Sequence, residues 1–200
     1  MEHYTEKFIY MPYAFFMNSC SYQKPHLGWP THADPSQSKQ RKDFKKKFTS
    51  EKNSKLKNID FVFCNFNKHL KFNPTLFNIW LDILAGTTKQ NTILLLLENP
   101  ADSLENIREY IDNYNTMRSE ENPKFVPLVS DRVVFLDFIG NPYDNQERVR
   151  TLCDVLVDTP NYNSHTTAVD ALWGGVPLIA LGNDNTMAGR VTSSILHTLK

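Results

Sequence analysis

The sequence predicts an α/β protein of the doubly wound class, in which a parallel sheet carries helices on both faces. Three observations lead to this prediction. Short apolar segments alternate five times with helical segments after residue 58, as in chains built from βα units. One segment, Thr92–Leu97, is a continuous apolar run, which is typical of a buried parallel strand. The composition, with 40% hydrophobic and 22% charged residues, is that of a globular protein.

The first two βα units have the clearest patterns. Ile59–Phe66 is aromatic and β-branched between polar flanks, so it predicts a strand. Pro74–Leu84 has apolar residues at helical spacing, with Asn73 or Pro74 at its start and Gly86 as a stop. Thr92–Leu97 is the second strand. A helix follows over Ala101–Met117, with an apolar face made by Leu104, Ile107, Tyr110 and Ile111.

The remaining three units are shorter but keep the same order. Their predicted strands are Val133–Phe138, Asp154–Val157 and Val176–Leu181. Their predicted helices are Asn145–Leu152, Thr166–Trp173, stopped by Gly174 and Gly175, and Met187–Leu199. In open α/β sheets, ligands bind outside the carboxyl ends of the strands. The residues that directly follow each strand are therefore the candidates for a functional site.

Charge and cysteine content exclude several classes of protein. The net charge is zero, because 22 Lys/Arg balance 22 Asp/Glu, so there is no general argument for nucleic-acid or membrane binding. The apolar run Phe8–Met17 is too short to span a bilayer and lacks the basic start of a signal peptide. Three widely spaced cysteines form neither a disulfide framework nor a CxxC zinc pair. We expect a soluble intracellular protein.

The basic residues are concentrated in one window. Nine Lys/Arg lie between Lys39 and Lys57, against Asp43 and Glu51. This window follows a turn-rich stretch, so Pro25–Asn58 is interpreted as a solvated linker or insertion. A nucleic-acid patch or a nuclear import signal is the alternative.

The loop after the fourth strand is the most informative. It runs from Asp158 into a helix that begins with His165, Thr166 and Thr167. A helix N-terminus carries about half a unit of positive charge and attracts phosphate. The two threonine hydroxyls and the imidazole add donors, and Asp170, one turn further on, could accept from ribose hydroxyls. The plainer interpretation is an N-cap with a capping-box-like acid, and these residues taken alone favour it.

Two lysines follow the first strand, where a cation would meet a diphosphate. For Lys68 the plainer interpretation, a solvated loop lysine, is preferred; for Lys71 the decision depends on the resemblance below. The sequence contains neither GxGxxG nor GxxxxGK[ST]. Serine-hydrolase and HExxH patterns are also absent.

Several of these segments resemble a known family. FCNFNKHLKFNP (Phe63–Pro74), DTPNYNSHTT (Asp158–Thr167), VDALWGGVPLIAL (Val169–Leu181) and MAGRVTSSIL (Met187–Leu196) resemble the C-terminal catalytic lobe of the protein O-GlcNAc transferases, glycosyltransferase family 41. YMPYAFFMNS (Tyr10–Ser19) resembles the segment that closes the N-terminal catalytic lobe in that family. The segments occur in the same order as in the family, and the spacing between them is nearly the same.

The resemblance implies a domain organisation. Residues 1–24 would be the end of the N-terminal lobe, residues 25–58 a basic linker, and residues 59–200 a nucleotide-sugar-binding lobe that is incomplete at its C-terminus. The fold implied is a GT-B-type Rossmann-like lobe with a remnant of the other lobe. The chain would then be a fragment, a partial gene model or a decayed paralogue.

The resemblance also implies an activity. The family transfers GlcNAc from UDP-GlcNAc to Ser/Thr hydroxyls of nuclear and cytoplasmic proteins, with inversion and without a metal or other cofactor. We expect no nucleic-acid or membrane partner, and we expect this chain alone to be inactive. The residues that the resemblance implies in UDP binding are Lys71 (also catalytic), His165, Thr166, Thr167 and Asp170. Lys68, in the same loop as Lys71, is kept as a further candidate for UDP binding.

At the base end the chain departs from the family. The family has Ala-Pro-Lys before a helix with a uracil-stacking histidine, whereas this chain has Asn141, Pro142 and Tyr143, and then Gln146 at the histidine position. We expect Asn141 and Pro142 to line the base site through the backbone, and Tyr143 to stack on uracil.

Two alternatives remain open. One is a Spindly-type O-fucosyltransferase that uses GDP-fucose, although that group typically lacks the histidine found here at position 165. The other is an inactive nucleotide-sugar-binding remnant, which the altered base-site residues favour.

Overall fold

The computed structural model describes residues 59–87, 92–98, 100–128, 130–182 and 186–199, and six positions near the N-terminus: 5, 7, 9, 11, 13 and 14. The predicted linker Pro25–Asn58 and most of Tyr10–Ser19 lie outside the described residues. The proposed division into a lobe remnant, a linker and a lobe therefore stays a prediction.

Five strands form one sheet in which every neighbouring pair is parallel. The strands are β1 (Phe61–Asn65), β2 (Thr92–Leu97), β3 (Val133–Leu136), β4 (Val155–Val157) and β5 (Leu178–Ile179). Their order across the sheet is β3-β2-β1-β4-β5. The parallel, doubly wound sheet predicted from the sequence is thereby confirmed. The chain reverses its direction of winding between β1 and β4, which is where such sheets bind ligands.

A helix follows each strand along the chain. The helices are α1 (Pro74–Gly86), α2 (Ser103–Glu121), α3 (Pro142–Leu152), α4 (His165–Trp173) and α5 (Val191–Thr198). The Asn73 side chain caps α1 by accepting a hydrogen bond of 2.9 Å from the Leu76 backbone N–H, and Pro74 fits the first turn. None of the helices in the described part of the chain is long and apolar enough to cross a membrane.

The sheet is covered on both faces, because alternate side chains of each strand point to opposite sides. On β2, Leu94 and Leu96 pack against α1 and α2, in a cluster with Trp80 and Ile111. Leu95 points to the other face, where α3 and α4 lie. All six residues of β2 are buried, which explains their uninterrupted apolar run.

The ends of some elements differ from the sequence prediction. β5 has two residues rather than six, and among the described strands it pairs only with β4. α2 ends at Glu121 rather than Met117, because Arg118 binds Asp82 of α1 and Glu121 of its own last turn. α5 begins at Val191, since residues 187–190 form a turn closed by a hydrogen bond from the Arg190 N–H to the Met187 carbonyl.

Candidate functional site

A cleft of about 640 Å³ opens at the carboxyl edge of the sheet. One wall is the 3-10 turn after β1, with Lys68, Leu70, Lys71 and Phe72. The other wall is the loop after β4 and the start of α4, with Tyr162, Ser164, His165, Thr166 and Thr167. The structure therefore places the lysines and the His-Thr-Thr segment, predicted separately from the sequence, around one space. Their role in binding UDP stays a prediction.

Lys71 reaches across the cleft to the opposite wall. Its Nζ donates to the Asn163 carbonyl oxygen at 2.9 Å and to Asn67 Oδ1 at 3.1 Å. The same Nζ lies 4.3 Å from the centre of the Tyr162 ring, in a cation–π contact. Burial lowers the pKa of Lys71, and the negative charge of Asp158 opposes this effect. In the described part of the chain, Lys71 forms no ion pair with a carboxylate, so its charge is held by neutral groups.

Asp158 organises the loop behind Lys71. It is 6% exposed, and its Oδ1 accepts hydrogen bonds from the backbone N–H groups of Thr159 and Ser164, both at 2.8 Å, and from the Ser164 hydroxyl. Asn67 donates to the same hydroxyl at 2.6 Å. Asp158 Oδ2 is buried and has no hydrogen-bond partner among the described residues. The backbone around the cleft is thus fixed before any ligand binds.

This arrangement changes the interpretation of Ser164. The sequence allowed an ordinary cap, but the Ser164 side chain makes no hydrogen bond to the first turn of α4. It binds Asp158 and Asn67 instead. Asp170 does not act as a capping acid either, because it accepts a hydrogen bond from Gln146. The N-terminus of α4 therefore keeps its positive end without a serine cap, as an anion site requires.

His165 has an unusual backbone. Its φ is 26°, in the left-handed region that residues with a side chain rarely adopt. The ring stacks on Tyr162 with 4.9 Å between the centroids and 23° between the planes. Nε2 lies 3.2 Å from the Ala188 carbonyl oxygen. The contacts with Tyr162 and with the Ala188 carbonyl thus hold the imidazole at the N-terminus of α4.

Of the residues predicted for the base and the ribose, the three whose side chains the structure describes, Asn141, Gln146 and Asp170, are not among those that line this cleft. Gln146 Nε2 donates to Asp170 Oδ1 at 2.8 Å, so the two predicted contacts bind each other and join α3 to α4. Burial raises the pKa of Asp170, while the Gln146 hydrogen bond lowers it. Asn141 is exposed at the start of α3. The side chains of Pro142 and Tyr143 lie outside the described residues, so stacking by Tyr143 stays a prediction.

Sequence reasoning did not single out Tyr162, Asn67 or Asp158 as parts of the site. All three follow a strand at its carboxyl end, which is the signal that could have found them. Their partners are distant in the sequence: Asn67 and Ser164 are 97 positions apart. No group of three His, Cys, Asp or Glu side chains that could hold a metal ion occurs in the described ranges.

Comparisons with known proteins agree on one family. The model of glycosyl transferase family 41 matches residues 31–200. A UDP-N-acetylglucosamine–peptide N-acetylglucosaminyltransferase of Caenorhabditis elegans is 35% identical over 153 residues, which are 76% of this chain and 12% of that protein. A probable enzyme of the same name from Arabidopsis thaliana, SEC, is 29% identical over 194 residues, which are 96% of this chain and 16% of that protein.

A solved structure supports the same relationship. A mutant of the Thermobaculum terrenum O-GlcNAc transferase matches with a TM-score of 0.55 and 26% identity, over 69% of this chain and 24% of that one. The sheet order, the helices on both faces and this likeness define the chain as a Rossmann-like lobe of the GT-B type of glycosyltransferase. Since the family model covers most of its length, the chain belongs to glycosyl transferase family 41.

Proposed function

We propose that this chain is the donor-binding lobe of an enzyme that transfers GlcNAc from UDP-GlcNAc to Ser/Thr hydroxyls of nuclear and cytoplasmic proteins. The observation that carries the proposal is the convergence of Lys71 and the start of α4 on one cleft. The names of the relatives support the donor and a peptide acceptor. The chain spans only 12% and 16% of the length of these two relatives, so the activity of a whole enzyme is part of the proposal.

The chemistry proposed for the cleft is stabilisation of a leaving group. When the bond to the sugar breaks, negative charge develops on the departing UDP, and groups fixed beforehand stabilise it most effectively. Lys71 supplies a full positive charge held in place by Asn67 and the Asn163 carbonyl. Thr166 and Thr167 supply hydroxyl donors, and the N-terminus of α4 adds its partial positive charge. We assign His165 as a further donor to a phosphate oxygen. Lys68, exposed on the rim, contributes a longer-range attraction.

The nucleoside end is proposed to lie towards α3. Asp170 is fixed by Gln146, and we assign the ribose hydroxyls to this carboxylate. Asn141, Pro142 and Tyr143 begin α3 and would border the base. Because Gln146 occupies the position of the family's stacking histidine, the base site lacks that aromatic ring. We therefore expect UDP affinity to be weak, with a Kd on the order of tens of micromolar to millimolar.

Calorimetry of the 200-residue chain with UDP and with GDP tests the proposal. The expected result is binding of UDP in preference to GDP. Tighter binding of GDP would favour a fucosyltransferase, and binding of neither nucleotide would contradict the proposal that this chain is a donor-binding lobe.

A radiolabelled-GlcNAc assay with an acceptor peptide tests the second half of the proposal. We expect no transfer by this chain alone, because transfer requires the acceptor hydroxyl and a proton route in the same closed site. We expect transfer when the lobe is grafted into a full-length relative. Transfer by the isolated chain would contradict the assignment of this lobe to the donor side only.

A further inference from the structure

The Tyr162 ring contacts two side chains of the cleft, Lys71 and His165. On one face it meets the Lys71 ammonium at 4.3 Å, and it also stacks on the His165 imidazole at 4.9 Å. Its own backbone carbonyl accepts a 2.6 Å hydrogen bond from the Thr159 hydroxyl, which fixes the loop. Tyr162 is nevertheless 48% exposed and lines the cleft. An aromatic side chain that is so exposed contributes little to the core. Packing of the core therefore does not explain why an aromatic residue occupies position 162.

We propose that Tyr162 is a positioning residue that joins Lys71 and His165 into a single diphosphate-binding unit. The inference rests on the proposed function, since it takes the diphosphate of a nucleotide sugar as the ligand. Lys71 comes from the turn after β1 and His165 from the start of α4, so the two belong to opposite walls. Besides the Tyr162 contact, Lys71 is joined to that opposite wall by its hydrogen bond to the Asn163 carbonyl and by the attraction of Asp158. The ring therefore sets the distance between the ammonium and the imidazole.

The electrostatics favour this role. Lys71 is partly desolvated, and burial lowers its pKa. An aromatic face attracts a cation without supplying a countercharge. The ammonium is thus held in place while its positive charge stays available to a phosphate. A carboxylate at the same position would neutralise that charge and compete with the ligand.

The test compares Tyr162→Ala with Tyr162→Phe, using calorimetry with UDP, uridine and inorganic pyrophosphate. We expect Tyr162→Ala to bind UDP and pyrophosphate about tenfold more weakly, with uridine binding unchanged. Tyr162→Phe keeps the ring face and should restore most of the affinity. Tyr13→Ala, which removes a more exposed tyrosine outside the cleft wall, is the matched control. Equal weakening of all three ligands would show a merely structural role and overturn the inference.

A double-mutant cycle with Lys71→Met gives an independent readout. If Tyr162 acts by joining Lys71 to His165, the two losses should be less than additive, so that the double variant binds UDP more tightly than the sum of the two single losses predicts. Additive losses would overturn the inference.

If the wild-type chain binds pyrophosphate but not UDP, the proposed function fails, and the pyrophosphate affinity of Tyr162→Ala still decides the inference on Tyr162. If UDP binds and Tyr162→Ala is like the wild type, the inference fails and the proposed function stands.

Discussion

At the scale of single residues, Lys68 and Lys71 form a natural matched pair. They share one turn, but Lys71 reaches two oxygen acceptors and the Tyr162 ring, whereas Lys68 is exposed on the rim. A hydrogen bond to a charged group contributes roughly 1.5–3 kcal/mol. We therefore expect Lys71→Met to weaken UDP binding by about tenfold to a hundredfold, and Lys68→Met by much less. Calorimetry on both variants measures this, and equal losses would contradict the placement of the diphosphate.

Asp170 allows a prediction on pH. Burial raises its pKa above the ordinary value of 3.8, against the smaller effect of the Gln146 hydrogen bond. An acid with a higher pKa in the folded state binds more protons when folded. Its contribution to stability is therefore present at low pH and lost as the pH rises through the folded-state pKa. We expect Asp170→Asn to raise Tm relative to the wild type more at pH 7 than at pH 4.

Thermal unfolding between pH 4 and pH 7 measures this difference. Asp144→Asn, which changes an exposed aspartate on α3, serves as the control and should follow the wild type. Parallel curves for Asp170→Asn and the wild type would mean that burial of Asp170 does not affect the folding equilibrium.

At the scale of secondary-structure elements, α1 and α2 are joined by a polar contact on their outer side. The Tyr114 hydroxyl donates to Asp82 Oδ1 at 2.7 Å, and Arg118 Nη2 binds the same oxygen at 2.5 Å. Burial, followed by the bond to Asp82, raises the pKa of Tyr114 to about 12, so the hydroxyl is a donor at every physiological pH. The contact holds the last two turns of α2 against α1.

Tyr114→Phe removes one hydrogen bond from this contact and leaves the buried ring in place. Since Asp82 is partly exposed and can bind water instead, we expect a loss of about 1 kcal/mol in the free energy of unfolding. Urea denaturation measures it. Tyr110→Phe, which removes a similar bond to Asn78, is the comparison; a larger loss there would point away from Asp82 as the main link between the helices.

For the described residues from 59 onward, the strands and α-helices and their order along the chain could be predicted from the sequence, because the apolar residues of each element face the core and recur at the spacing of a strand or a helix. Their ends could not, since distant contacts decide them. α2 continues to Glu121 through the bond between Arg118 and Asp82. In the site, the lysine and the helix start were visible as residues next to strand ends. The network of Asn67, Asp158 and Ser164 was not, because hydrogen bonds between separate loops leave no periodic signal.

At the scale of the whole molecule, apolar side chains remain exposed on the described surface. Ile9 is 88% exposed and Met11 60%. At the edge of the sheet, Ile179 in β5 is 61% exposed and Leu181, two residues further on, is 62% exposed. Apolar patches of this kind are typical of surfaces that contact another protein surface. We expect the isolated chain to bind the dye ANS and to associate as its concentration rises.

Dye fluorescence and sedimentation velocity measure these two properties. The double variant Ile179→Lys with Leu181→Lys should bind less dye and associate less, with UDP binding retained. A monomeric wild type that binds no dye would show that the exposed side chains do not form a continuous patch.

The charge of Asp158 has a consequence for the proposed diphosphate site. Its buried carboxylate lies behind Ser164, which lines the cleft, and Oδ2 has no hydrogen-bond partner in the described part of the chain. The negative charge that supports the protonated form of Lys71 also repels a bound anion. A leaving group held only by positive groups would be released slowly, and product release limits the rate of many enzymes. For the diphosphate product of the proposed function, we therefore expect Asp158 to shorten the residence time and to lower the affinity.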